Sequence, residues 1–356
     1  MVIDDLTRHG GGQMYGLILA EVLEEIGYNT YFLTNIERHD GSKSKVAFKV
    51  DYEYVEGESK ILDLFKVLNL KRQLSRIDLR DFNLTVNNHP NVFIKKGDLN
   101  ILHGFSFLDP WLDEKGELMT KFPAFAFKLS RFYKVYEGQL FIPNSNYTRE
   151  ISKKLFGALD IDVRVGETLH PPVRTRNFDD YKKKEQVIVF GRISRNKGIE
   201  GIIDIARDHD IKIVIAGFVN RGDKAFVERL KKRAGNNVEI RSNLSNDEKE
   251  KLFMESSTIL SLNKKEHFGM ALAEAMNYGC VPVVPKSGGQ WTDVVDEGSY
   301  GIGYDSLNDI GEILEDSFDY AEEQRRKIAM SVARFSVSEF RKSLERILDV
   351  VNSNLS

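Results

Sequence analysis

The sequence predicts an α/β protein built from two doubly wound, mainly parallel sheets. The chain has 356 residues, enough for two domains of ordinary size. From Gln186 onward, short apolar, β-branched runs alternate with amphipathic runs of helical spacing, the pattern of a parallel sheet wound with helices. Between Ser257 and Val284 the order is strand, polar loop, helix, strand. In an α/β sheet that order puts the loop and the helix start at the carboxyl edge, where ligands bind.

Composition sets the class. At 41% hydrophobic and 29% charged, the chain has the balance of a soluble globular protein. A net charge of −3 gives no bulk case for nucleic-acid binding. The lone Cys280 rules out an internal disulfide and, in an apolar strand, reads as a small core residue. No run reaches the roughly 18 apolar residues of a membrane span, and Met1 opens no signal-peptide pattern. A cytoplasmic protein is expected, with contact at the inner membrane face left open.

The N-terminal half begins with a very short apolar start, Val2-Ile3, and then Gly10-Gly11-Gly12. A glycine-rich turn lets backbone approach a phosphate closely, which makes Gly11 and Gly12 candidates for binding a phosphate-bearing ligand. Met14–Ile26 is an amphipathic run ending at Gly27, and Asn29–Thr34 is a strand. Arg38–Lys45 is a loop, Val46–Val55 a strand and Glu58–Leu79 a helix. Phe93-Ile94 and Ile101-Leu102 are short apolar pieces, the second followed by His103. Between 121 and 136, aromatics recur at three- and four-residue steps among lysines and an arginine. The preferred reading is a core-facing helix with solvated lysines; the alternative is a basic face lying on an anionic membrane. Leu140–Ser145 is a strand running into a loop, and Thr148–Phe156 a helix with Gly157 behind it.

Arg174–Glu185 is charged and aperiodic, so the linker is placed at 174–185, between domains 1–173 and 186–337. Strands are expected at Gln186–Phe190, Ile211–Ala216, Val238–Arg241, Ser257–Leu262 and Cys280–Val284. Helices are expected at Gly198–Arg207, Lys224–Arg233, Asp247–Glu255, Phe268–Tyr278 and Ala321–Met330. The turn after the first of these strands carries Arg192 and Lys197. Two cations at a sheet edge can stabilise the charge that a diphosphate gains as a leaving group, without a metal. Glu266 stands just before a helix and Glu274 in its second turn, so their carboxylates can accept from hydroxyls on two parts of one ligand. N–H groups at Gly269, Met270 and Ala271 would face an anion. Asp160-Ile161-Asp162 and Asp208-His209-Asp210 read as surface acids, and no H-E-x-x-H is present. Neither a metal nor a cofactor is expected.

The string from Glu266 through Phe268-Gly269 to Glu274 resembles the E-x(7)-E signature of retaining glycosyltransferases of the GT-B fold, family four, also called group 1. Gly191-Arg192 with Lys197-Gly198 resembles the same family's G-R-x(4)-K-G, and the EHFG wording with Ser287-Gly288-Gly289 resembles its lipid-linked oligosaccharide mannosyltransferase branch. The resemblance implies two Rossmann-like domains facing across a cleft, the first binding the acceptor and the second the nucleotide sugar. It implies that Glu266 faces the donor sugar, Glu274 holds the ribose, and Arg192 and Lys197 clamp the diphosphate. It points to His103 beside the donor sugar, and to Asn243-Leu244 as the segment that holds the base through backbone groups. It also implies a last helix, about 338–356, that returns to the first domain, with Ser338 as its N-cap. The chain departs from the family in its nearly missing first strand.

The activity implied is transfer of a hexose, mannose favoured, from GDP-mannose or a UDP-hexose to a glycan or lipid-linked acceptor. It would proceed without a metal and by front-face chemistry. Two other readings stay open: a non-catalytic or partner-dependent nucleotide-sugar-binding subunit, and a nucleotide-sugar 2-epimerase.

Overall fold

A computed structural model describes residues 2–3, 11–34, 45–49, 78–88, 97–104, 137–175, 182–195, 198–219 and 221–355. Residues 58–77 of the expected helix Glu58–Leu79, the Phe93-Ile94 piece, the aromatic stretch at 121–136 and Lys197 lie outside the described residues; Asp78 and Leu79 are not helical. The chain divides into two compact units, Met1–Pro172 with Phe340–Ser356, and Val173–Glu339.

In the first unit the strands are β1 (Val2–Ile3), β2 (Tyr31–Thr34), β3 (Lys45–Lys49), β4 (Val86–Asn87), β5 (Leu99–Leu102), β6 (Leu140–Pro143) and β7 (Arg164–Val165). They pair in parallel in the order β3-β2-β1-β4-β5-β6-β7. The two-residue β1 is central because both its neighbours bond to it, Val2 opposite Phe32 on one side and Val86 on the other. Helix α1 (Gly11–Glu25) buries Tyr15, Ile18, Leu19, Val22 and Leu23. That continuous apolar face winds the helix from Gly11, so Gly11 and Gly12 open it and do not form a loop ahead of Met14. Helix α2 (Asn146–Leu159) runs through Gly157, because Leu155, Phe156 and Leu159 keep its face in the core. Its stop is Asp160, held left-handed with φ 54°.

The second unit contains β8 (Lys184–Phe190), β9 (Ile213–Gly217), β10 (Val238–Ser242), β11 (Ser256–Leu260), β12 (Val281–Pro285) and β13 (Ile302–Tyr304). Their order is β10-β9-β8-β11-β12-β13, again all parallel. Helices α3 (Ile199–Asp208), α4 (Lys224–Arg233), α5 (Asn246–Glu255), α6 (Met270–Met276), α7 (Ile310–Asp316) and α8 (Glu322–Ser331) follow the strands. Both sheet faces are covered. Along β9, Ile213 and Ile215 join one apolar cluster, while Val214 and Ala216 join another. This is why the strands read as near-continuous apolar runs. Cys280 is buried as expected, with its thiol against the carbonyls of Phe253 and Ser256. Burial pushes that thiol's pKa up. Lys184 and Glu185, expected in the linker, already belong to β8.

The last helix, α9, spans Val337–Leu355, and from Phe340 its residues belong to the first unit. Ser336, and not Ser338, sits ahead of its first turn: its Oγ accepts from the Glu339 N–H at 3.3 Å. The sequence offers two serines two positions apart, and the chain path into the helix selects the earlier one.

Candidate functional sites, one at the carboxyl edge of each sheet

In the second unit the strand order reverses between β8 and β11, which are direct neighbours. At such a switch point the chains leaving the two strands diverge and open a ligand site. The chain leaves β8 at Phe190 into Gly191-Arg192, leaves β11 at Leu260 into the Glu266 loop, and leaves β12 at Pro285 into Ser287-Gly288-Gly289. All three strands are parallel, so the three exits share one edge.

Arg192 is held from both sides. The Gly191 N–H donates to the Ala216 carbonyl at 3.0 Å, and the Ile193 N–H to the Phe218 carbonyl at 2.8 Å. Ile193 is in the core, while Arg192 is exposed. The approach of this turn to β9 is so close that a Cβ on Gly217 would lie 1.6 Å from the Gly191 oxygen. Only glycine fits there, and its φ of 145° adds a second reason.

Glu266 is half-buried. Its Oε2 accepts from Asn263 Nδ2 at 2.8 Å, and its carbonyl from the Gly289 N–H at 2.8 Å. A Cβ on Gly288 would stand 2.6 Å from the same carbonyl, so the β12 turn can lie against the Glu266 loop only as glycine. Helix α6 starts at Met270 and ends at Met276, shorter at both ends than expected. The first N–H bonded inside it is that of Ala273, to the Gly269 carbonyl at 3.1 Å, so the Met270 and Ala271 N–H groups precede the ladder. Glu274 is ion-paired: Lys249 Nζ of α5 lies 2.9 Å from its Oε2. No local pattern marks Lys249 as its partner, since it is 25 positions away in the chain. Asn243 is left-handed, with φ 58°; its N–H donates to the Gly217 carbonyl at 2.8 Å, and its Oδ1 accepts from the Val219 N–H at 3.4 Å. It serves to shape the β9 and β10 exits, while Leu244 packs on the core.

In the first unit, the carboxyl edge of the sheet carries His103, directly after β5. Nε2 of the ring lies 2.8 Å from Asn88 Oδ1, and Nδ1 3.5 Å from Asn144 Nδ2. Asn88 follows β4 and Asn144 follows β6, so three adjacent strands deliver the cluster. Asn88 Nδ2 donates to the Gly12 carbonyl at 3.0 Å, which joins the start of α1 to the same group. Tyr15 stands edge-on to His103 with ring centres 4.8 Å apart, and burial raises its pKa. Neither asparagine is visible as a partner in sequence, because each lies on a different strand.

The D-x-D pairs have structural roles. Asp160 ends α2, and Asp210 Oδ1 accepts from Asn237 Nδ2 at 2.7 Å. Among the described residues no three His, Cys, Asp or Glu side chains gather as a cation site would require.

Residues 174–334 match the family described as Glycosyl transferases group 1. These residues are a glycosyltransferase group 1 domain. The Arg192 turn and the Glu266 loop both lie within it. A GDP-Man:Man(3)GlcNAc(2)-PP-Dol alpha-1,2-mannosyltransferase of Dictyostelium discoideum is 25% identical over 239 residues, 59% of this chain and 46% of that protein. The Xenopus laevis protein of the same name is 32% identical over 138 residues, 36% of this chain and 28% of its own length. The chain thus spans about half or less of these relatives. Among solved structures, Anabaena HepE with UDP and glucose superposes with a TM-score of 0.70 at 14% identity, covering 98% of each chain. Sucrose-phosphate synthase of Thermosynechococcus elongatus gives 0.73 at 13% identity, covering 99% of this chain and 98% of its own. These likenesses establish the α/β GT-B fold around the group 1 domain.

Proposed function

We propose that this chain is a retaining hexosyltransferase that takes its sugar from a nucleotide diphosphate sugar, with GDP-mannose the favoured donor. The reading is carried by one observation: within the group 1 domain, the Arg192 turn and the Glu266 loop leave adjacent parallel strands where the strand order reverses. Arg192 and Lys197 neutralise the diphosphate as the bond from the anomeric carbon to the phosphate oxygen breaks. Glu266 accepts from hydroxyls of the donor sugar. Glu274, with Lys249 on Oε2, accepts from the ribose through its other oxygen. The acceptor oxygen bonds to the anomeric carbon on the face the phosphate leaves, and its proton passes to that phosphate, so no metal and no protein nucleophile is invoked.

Mannose is favoured because the matched relatives are named for GDP-mannose and a dolichol-linked glycan. HepE, the structural neighbour, is titled with UDP and glucose. A glycan or lipid-linked acceptor follows from the same relatives, with 121–136 as the segment that would meet a membrane. Among the described residues no helix is long and apolar enough to cross one. Purified protein is incubated with GDP-mannose, UDP-glucose and UDP-N-acetylglucosamine. Slow release of free mannose and GDP is expected. A sugar altered while still attached to its nucleotide, or tight binding with no release, overturns the transferase reading.

A further inference from the structure

Gln290 is wholly buried, yet its Oε1 has no hydrogen-bond partner. An unpaired buried acceptor is destabilising, and an apolar side chain of similar size would be easier to bury. The unpaired Oε1 therefore gives stability no reason for a glutamine here. Its Nε2 does have a partner: it reaches from the β12 turn to the Asn263 carbonyl, 2.7 Å away. Asn263 in turn donates from Nδ2 to Glu266 Oε2 at 2.8 Å. The Asn263 amide can face only one way, because its Oδ1 accepts from the Lys265 N–H at 3.2 Å. The same turn grips the same loop twice more: the Gly289 N–H donates to the Glu266 carbonyl, and the Ser287 side-chain Oγ donates to the Lys264 carbonyl, both at 2.8 Å.

We propose that Asn263 and Gln290 are positioning residues that aim the Glu266 carboxylate at the sugar of a nucleotide diphosphate donor, which rests on the reading above. Gln290 fixes the Asn263 backbone, and Asn263 fixes one oxygen of Glu266. Among the described residues, charged groups near this loop in the chain or at the same sheet edge include Arg192, Lys264, Lys265 and His267, Lys286 paired with Asp305 at 2.5 Å, and Glu274 paired with Lys249 at 2.9 Å.

The test uses Gln290→Leu and Asn263→Asp in the full chain. Gln290→Leu is expected to keep or raise Tm, lower kcat by about tenfold or more, and leave the donor KM little changed. A fall in Tm with kcat preserved, or no change in either, overturns the proposal. If Tm and kcat fall together, Asn263→Asp decides. A proton shared between its new carboxyl and Glu266 restores the bond at low pH, and loss of that proton sets two charges side by side. Turnover of this variant should therefore fall as pH rises, relative to the native enzyme. A native pH profile overturns the proposal. If the native protein turns over none of the donors, the functional reading has failed separately. Positioning is then read from the carboxyl carbon resonance of Glu266, whose titration moves up in Asn263→Asp if the groups touch. An unmoved titration sinks it.

Discussion

In the proposed reaction a few side chains of the group 1 domain meet opposite demands. Arg192 would stay exposed to meet the diphosphate, while its neighbours Gly191 and Ile193 are bonded to the end of β9 and just beyond it. Glu266 is half-buried, and the Asn263 amide holds its Oε2 in place. Glu266→Ala and Arg192→Ala should each leave Tm within a degree or two. Each should cut kcat/KM for the donor by about a hundredfold, since one such contact is worth roughly 3 kcal/mol in a transition state. Turnover within a factor of two of native, measured on folded variant, would remove that residue from the mechanism. Sequence could name Arg192, Glu266 and Glu274 because each sits beside glycine or a helix start in a short local pattern. It could not name Asn88, Asn144, Lys249 or Asn263, since each is a polar residue like many others until the fold sets it against its partner.

At the scale of elements, the exits of β8, β9 and β12 decide where the site residues stand. The Gly217 position shows how little slack there is. Gly217→Ala would force its Cβ into the Gly191 carbonyl and impose a left-handed φ on alanine. A loss of about 3 kcal/mol or more is expected, from overpacking and backbone strain together. Denaturant unfolding measures it, and the Arg192 turn should move with it, so donor affinity falls in the folded fraction. A variant as stable as the native chain would show that the turn can open. Helix α4 was legible end to end, Lys224–Arg233, because its apolar residues are spaced by three and four and the flanks are polar. Strands β4, β7 and β13 were not legible, because two or three residues carry no periodicity. They are strands only because a longer neighbour offers them an edge.

For the molecule as a whole, charge couples stability to pH. Hydrogen bonds from Arg80, Arg233, Arg241 and Lys184 hold Asp78, Asp204, Glu239 and Glu255 below the usual carboxylate range, Asp78 at about 2. The Ser245 N–H does the same for Glu248, in the cap of α5. A carboxyl whose folded pKa is depressed adds stability above its unfolded value, near 4, and loses it as pH falls through the folded value. Tm should therefore hold from about pH 7 to 5 and decline from there toward pH 2. Each exposed pair contributes little, so the decline should be gradual. A Tm that stayed level down to pH 3 would mean these pairs persist in the unfolded chain.

The sequence by itself determined the α/β class, the alternation of the second unit, and the edge on which Arg192, Glu266 and Glu274 lie. Those features are local: apolar period, glycine placement and charge next to a helix start are written in consecutive residues. Only the tertiary structure decided that the strand order reverses between β8 and β11, that Lys249 pairs with Glu274, and that His103 is set between two asparagines. Those depend on which strands become neighbours. Neighbours are chosen by burying both faces of a sheet at once, and no stretch of chain records that on its own.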